Sequence, residues 1–324
     1  MAKAKVFVTR RLPEATLNRL AAHCEAEVWH DFLPPDYATI RKNIRAGDGL
    51  LSLLTDRVDA ELMDAAPNLR VISNMAVGYD NIDVDAATAR RIPVGHTPDV
   101  LTETTADFAF ALLMAVARRI PEAERYILAG KWRTWHPTVL SGQDIFGATL
   151  GIIGFGRIGQ AVARRATGFN MTILVNTEEN KDKIHEIGAK EATLDQVLRE
   201  SDYVSLHVPL TEATQHMISE AELALMKSTA ILINTARGSI VDGAALYRAL
   251  DRGDILAAGL DVTDPEPIPH DDQLLSLDNC LVVPHIASAS VATRTKMAEM
   301  AADNLIAGLS GMPLPNCVNP EVYS

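Results

Sequence analysis

Three polar residues of this 324-residue chain each stand just past a separate apolar run. Arg237 follows "ILINT" in "INTARGSIVD", Glu266 follows "AAGLDV" in "DVTDPEPIP", and His285 follows "CLVV" in "VVPHIASAS". An arginine, a carboxylate and an imidazole together suit the reduction of a 2-keto acid. That reaction needs a cation to grip the substrate carboxylate and a proton for the alkoxide that forms as hydride arrives. The planar fork of an arginine donates to carboxylate and keto oxygens at once. An imidazole, with an ordinary pKa of about 6.5, is a natural proton donor near neutrality. A neighbouring carboxylate favours imidazolium and fixes the ring. Taken singly, each residue has a plainer reading, as a surface arginine, a proline-stiffened turn or a packed histidine.

A hydride source is written upstream. "GIIGFGRIGQAVARRA" carries Gly154-x-Gly156-x-x-Gly159 between an apolar strand and an Ala/Arg-rich helix. In that context the first glycine permits a tight turn and the second lets the backbone approach a pyrophosphate. The third lets the helix pack close to the sheet. The N–H groups that open the helix then face the phosphate charge. Where an NAD site normally carries a ribose-binding acid, the chain has Thr177, followed by Glu178 and Glu179. Either carboxylate disfavours a 2′-phosphate by like-charge repulsion, so NAD(H) is expected ahead of NADP(H). Lys181 and Lys183 keep NADP(H) open, and the glutamates read equally as a solvated face.

These residues need an α/β frame. Up to residue 100, "KVFVTR" (5–10), "AEVWH" (26–30), "GLLSLL" (49–54), "RVISNM" (70–75) and "IPVGH" (92–96) read as strands. Stretches 14–23, 37–46, 59–65 and 83–90 read as helices between them, the rhythm of a parallel sheet covered on both faces. A helical stretch over 101–130, broken near Pro121 and capped by Asp99 or Thr102, leads into a second α/β series. Its strands fall near 149–153, 171–176, 202–206, 229–234, 256–261 and 280–283. A last helix, 291–309, has no strand after it and is expected to run back onto the first domain.

Composition narrows the class further. With 42 Asp+Glu against 30 Lys+Arg the net charge is −12, which repels phosphate backbones, so no nucleic-acid partner is expected. Small anions bind only where local groups overrule that field. Cys24, Cys280 and Cys317 form no CxxC pair and read as reduced thiols of a cytoplasmic protein. No apolar run approaches a membrane span. No metal is required, and His270-Asp271-Asp272 reads as a solvated turn.

Taken together, "NMAVGYDNID", "TETTADFAFALL", "GIIGFGRIGQAVA", "HVPLT", "NTARGSIVD", "GLDVTDPEP" and "PHIASAS" closely resemble the D-isomer-specific 2-hydroxyacid dehydrogenases over essentially the whole chain. "GKWRTWHP" and "NMAVGYDNID" look most like the glyoxylate/hydroxypyruvate reductase branch. The resemblance implies Arg237, Glu266 and His285 as the catalytic set, and backbone N–H groups at Val77 and Gly78 as further holders of the substrate carboxylate. It places Thr105, Arg157, Ile158, Thr235, Ala236 and Asp261, with Arg237 and His285, around the cofactor. It implies two doubly wound parallel-sheet domains with a cleft between them. A flavodoxin-like substrate domain comprises 1–99 plus 288–324, and a Rossmann cofactor domain comprises 100–287. Hinges are expected near 98–101 and 285–290, closing on the substrate and excluding water. It also implies a homodimer in which Trp135 approaches the partner's site, although Trp135 reads equally as packing.

Two positions depart from that pattern. Thr177-Glu178-Glu179 matches neither the Asp usual at 177 with NAD nor the Ser-Arg-Thr-like run frequent with NADP. "HTP" replaces the common "NTP", putting His96 near a hinge as a structural or second titrating group. Other D-2-hydroxyacid or phosphite dehydrogenases, and a nucleotide-gated binding protein of the same fold, are the alternatives. Glu266 argues against the formate dehydrogenases of this fold, which pair their histidine with Gln.

Overall fold

The computed structural model describes residues 3–324. It divides into two compact units, Met1–Leu101 together with Ser290–Ser324, and Thr102–Ala289.

In the first unit the strands are β1 (Ala4–Val8), β2 (Cys24–Val28), β3 (Gly49–Ser52), β4 (Val71–Asn74) and β5 (Val94–Gly95). All pair in parallel in the order β2-β1-β3-β4-β5. The order reverses at β1/β3, the switch point of a flavodoxin-like sheet. β3 and β4 are buried at every residue, as strands covered on both faces must be. One cover is the helix Val291–Leu309, which packs on β3, β4 and β5 and on the helix Glu14–His23. Its Ser290 cap accepts a hydrogen bond from the Thr293 N–H at 3.1 Å. Gly308 sits so close to Val71 that a Cβ there would lie 2.5 Å from its side chain. Buried Asn304 ties the helix to the chain beyond β5, donating to the His96 carbonyl at 2.9 Å.

The second unit holds β6 (Thr149–Ile153), β7 (Thr172–Asn176), β8 (Lys190–Glu191), β9 (Tyr203–Leu206), β10 (Ile231–Asn234), β11 (Ala257–Leu260) and β12 (Cys280–Val282). These are parallel in the order β12-β11-β10-β9-β6-β7-β8, reversing at β6/β9 as a Rossmann sheet does. The helix Thr102–Ala117 lies on β10 and β11, burying Phe110, Leu112 and Leu113. Each such side chain contributes roughly 1.5–3 kcal/mol on removal from water.

The long helical stretch breaks near Pro121 as expected, at Arg119, whose φ is 53°. Pro121 lies in the first turn of the next helix, Ile120–Leu128, where its missing N–H has no intrahelical partner to lose. β5 is two residues long where five were expected, and the charged β8 was not anticipated. Among the described residues, no helix is long and apolar enough to cross a membrane.

Candidate active site

The glycine loop joins β6 to the helix Arg157–Thr167. Gly154 has φ +93°, a conformation that costs a side-chain-bearing residue dearly, and a Cβ there would lie 2.6 Å from the His207 backbone. Gly159 presses on the same turn, with its Cβ position 2.3 Å from the Gly154 carbonyl. Gly156 has no atom within 4 Å of its Cβ position, so the chain faces open space there. Gly156 also caps the helix without a side-chain hydrogen bond. Glycine at the cap position supplies no side-chain acceptor to the first turn of the helix, the arrangement that receives a pyrophosphate.

Beyond β7 the Thr177 hydroxyl is engaged locally. It donates to the Glu179 carbonyl at 3.0 Å and accepts the Glu179 N–H at 3.2 Å, closing a tight turn. The Glu178 side chain is 95% exposed, and Lys181 pairs with Glu191 at 2.7 Å. Asn180, at φ 57°, donates to the Phe155 carbonyl at 3.3 Å and so links this turn to the glycine loop.

At the end of β10, Thr235 Oγ1 is buried with no protein partner, a polar atom that a bound dinucleotide could satisfy. Thr105 is buried on the helix Thr102–Ala117. Asn234, also buried, braces the next residues: its side-chain oxygen accepts the Ala236 N–H at 3.0 Å and its amide donates to the Arg237 carbonyl at 2.8 Å. Arg237 itself donates to the Ala236 carbonyl at 2.9 Å. The turn after it abuts the loop that carries Glu266, because a Cβ on Gly238 would lie 2.0 Å from the Thr263 backbone. Ser239 secures the same approach by donating to Asp264 at 2.6 Å.

His285 leaves the end of β12 with φ 52°, a backbone state that a non-glycine residue holds only when its surroundings fix it. Its Nδ1 stands 2.5 Å from Oε1 of Glu266, with both side chains partly exposed. Asp261 provides the fixing. Its carbonyl accepts the His285 N–H at 2.9 Å, and its carboxylate oxygens accept the Ile286 and Ala287 N–H groups at 2.7 and 2.9 Å. Burial raises the Asp261 carboxyl above its ordinary range, and those two N–H groups oppose the rise. The structure therefore joins Glu266 to His285 directly and sets the Arg237 turn against the Glu266 loop. Trp135 stands apart on the segment after Leu128, 80% exposed.

In the first unit, Val77 and Gly78 follow β4. The Val77 carbonyl lies 3.0 Å from His96 Nδ1, and His96 meets Tyr79 edge to face at 5.7 Å. Buried Asn74 donates to the Gly78 carbonyl at 3.1 Å. Sequence reasoning named His96 without a partner and passed over Asn74 and Asn234. The available signal was an asparagine closing a strand that is otherwise apolar in β10 and interrupted only by Ser73 in β4. Asp272, within the expected solvated turn, caps a short 3-10 helix by accepting the Leu274 N–H at 2.9 Å.

A Rossmann sheet with an uncapped glycine loop and a histidine–carboxylate pair at its carboxyl edge defines a nucleotide-dependent oxidoreductase. Residues 110–287 match the profile of the D-isomer specific 2-hydroxyacid dehydrogenase NAD binding domain. The chain is 56% identical over 322 residues to a glyoxylate reductase of Korarchaeum cryptofilum, covering 99% of this chain and 97% of that one. A crystal structure of a Thermus thermophilus protein superposes with a TM-score of 0.92 at 46% identity, covering 97% and 99% of the two chains. An NADPH-dependent glyoxylate/hydroxypyruvate reductase from Sinorhizobium meliloti, solved with NADP and malonate, gives 0.86 at 35% identity, covering 98% of each. The chain belongs to the D-isomer-specific 2-hydroxyacid dehydrogenases.

Proposed function

We propose that the chain reduces glyoxylate to glycolate and hydroxypyruvate to D-glycerate. The 2.5 Å pair of His285 and Glu266, set on a backbone clamped by Asp261, carries this reading. When bound, the reduced nicotinamide supplies the hydride that reaches the keto carbon. Arg237 grips the carboxylate and keto oxygens through its guanidinium fork, and the Val77 and Gly78 N–H groups take the carboxylate as well. As charge grows on the keto oxygen, His285 donates a proton from Nε2 while Glu266 stabilises the imidazolium from the Nδ1 side. Removing Arg237 is expected to raise KM and lower kcat together, because its donors serve both ground and transition states.

The cofactor contacts assigned are the Gly154–Gly159 loop with Arg157 and Ile158, then Thr177 to Glu179, Thr105, Thr235, Ala236 and Asp261. Of these, Asp261 has its carboxylate committed to the His285 segment, so its part is to position that segment. NADH is the favoured reductant. Glu178 and Glu179 repel a 2′-phosphate, and Lys181 is already paired with Glu191. Parallel steady-state reduction of glyoxylate with NADH and NADPH tests the whole reading. Preference for NADPH would overturn the cofactor assignment, and absence of turnover with either would overturn the substrate.

The active species is proposed to be a cytoplasmic homodimer. Leu128, Trp132, Trp135 and Phe146 expose a run of large apolar side chains, and cover by a second copy would account for it. Trp135 would then approach the partner's site. Sedimentation of the wild type against Trp135→Ala, alongside KM, tests both parts.

A further inference from the structure

A cavity of about 550 Å³ opens at the carboxyl ends of β1 to β4 in the first unit. Arg10 and Leu12 bring the end of β1 to it, His30 and Phe32 that of β2, Leu53 that of β3 and Met75 that of β4. It therefore lies across the β1/β3 switch point, where open parallel sheets receive ligands. Met75 is two residues before Val77, and the Leu53 carbonyl accepts from Asn81, whose side-chain oxygen also accepts from Asn74. The cavity thus adjoins the loop assigned to the substrate carboxylate. Glyoxylate has no carbon beyond its aldehyde carbon to enter such a space.

The wall reverses the sign of the protein. In a chain of net charge −12, Arg10, Arg11 and Arg294 line this cavity against Asp31 alone. Arg10 is held in place, donating to the Thr9 carbonyl at 2.6 Å and to the Thr55 hydroxyl at 2.9 Å. Buried Asp56 stands 3.6 Å behind it and also accepts from Thr9 Oγ1 and the Leu53 N–H, locking β1 to β3. Asp31 and Asp56 offset part of the arginine charge, and the excess suits one carboxylate better than a doubly charged phosphate. Phe32, 97% exposed at the rim, with Leu53 and Met75, offers apolar surface for the methylenes in between.

We propose that this cavity is a distal-anion subsite that admits 2-keto acids bearing a second carboxylate at their far end. The proposal rests on the assignment of Val77 and Gly78 to the first carboxylate.

The test compares kcat/KM for 2-oxoglutarate, for 2-oxopentanoate (the same chain length with an uncharged end) and for glyoxylate, in wild type and Arg11→Gln. Arg11 is exposed, so its replacement leaves the fold intact. The wild type is expected to favour 2-oxoglutarate over 2-oxopentanoate by about tenfold. Arg11→Gln should cut that ratio about three- to fivefold through KM, and about 0.5 M salt should do the same, as for an exposed charge pair. Equal rates for the two longer acids, or a ratio unmoved in Arg11→Gln, would overturn the subsite while leaving glyoxylate reduction standing. Failure on glyoxylate with an Arg11-dependent preference intact would overturn the proposed substrate and leave the subsite. Loss of all turnover in the wild type would reject both.

Discussion

His285 Nδ1 and Glu266 Oε1 stand 2.5 Å apart, joining a loop after β11 to one after β12. Reduction consumes the proton of the imidazolium, and the carboxylate stabilises that charged form. Glu266→Gln removes that charge while keeping the side chain's size, so kcat for glyoxylate reduction should fall about tenfold or more with a smaller change in KM. An unchanged kcat would reject the coupling.

Asp261 acts on the same pair through the backbone. Asp261→Asn keeps one carbonyl oxygen but sets an amide donor against either the Ile286 or the Ala287 N–H. Two facing donors should loosen the His285 segment and lower kcat about tenfold with a smaller change in KM. A kcat left at the wild-type value would show that the clamp does not position the ring.

The glycines of the loop should separate folding from binding. Gly159→Ala drives a methyl into the Gly154 carbonyl at 2.3 Å and should cost roughly 1–3 kcal/mol or more in stability. Gly156→Ala meets no protein atom within 4 Å and has a φ of −67° that alanine accepts. Its Tm should match the wild type while dinucleotide affinity falls about tenfold or more. Calorimetry and fluorescence titration with NADH on both variants check this, and a destabilised Gly156→Ala would contradict it.

His207, at the end of β9, should make stability depend on pH. Burial pulls its pKa from 6.5 down to about 4, and its Nε2 lies 2.8 Å from Ser205 Oγ. Between those values the unfolded chain binds a proton that the folded chain refuses. Stability therefore falls as pH drops from 6.5 towards 4 and is unaffected by this group above 6.5. The expected loss is about 2 kcal/mol, less than the full shift implies because the residue as a whole is only partly buried. Denaturant midpoints of wild type and His207→Gln at pH 7 and pH 4.5 measure it, and parallel slopes would dismiss the histidine as the cause.

The parallel α/β class and the two series of strands were legible in the residues alone. Strands buried on both faces read as short continuous apolar runs, and β3, β4, β9 and β10 are buried along their whole length. The glycine loop and the span of the last helix, 291–309, were legible too, because spacing and caps are local signals. The strand orders emerged only in three dimensions, since every parallel strand carries the same apolar signature and none names its neighbour. β8 was illegible because Lys190 and Glu191 are exposed and charged, and pair only through backbone. The break near Pro121 was legible, and only its placement at Arg119 was not, because proline is tolerated in a first turn as readily as it ends a helix. The clamp of Asp261 on the His285 segment depends on two strands becoming neighbours, and so does the arginine-lined space across β1 and β3. Periodicity reports how each segment is buried, and long-range pairing alone sets which polar groups meet.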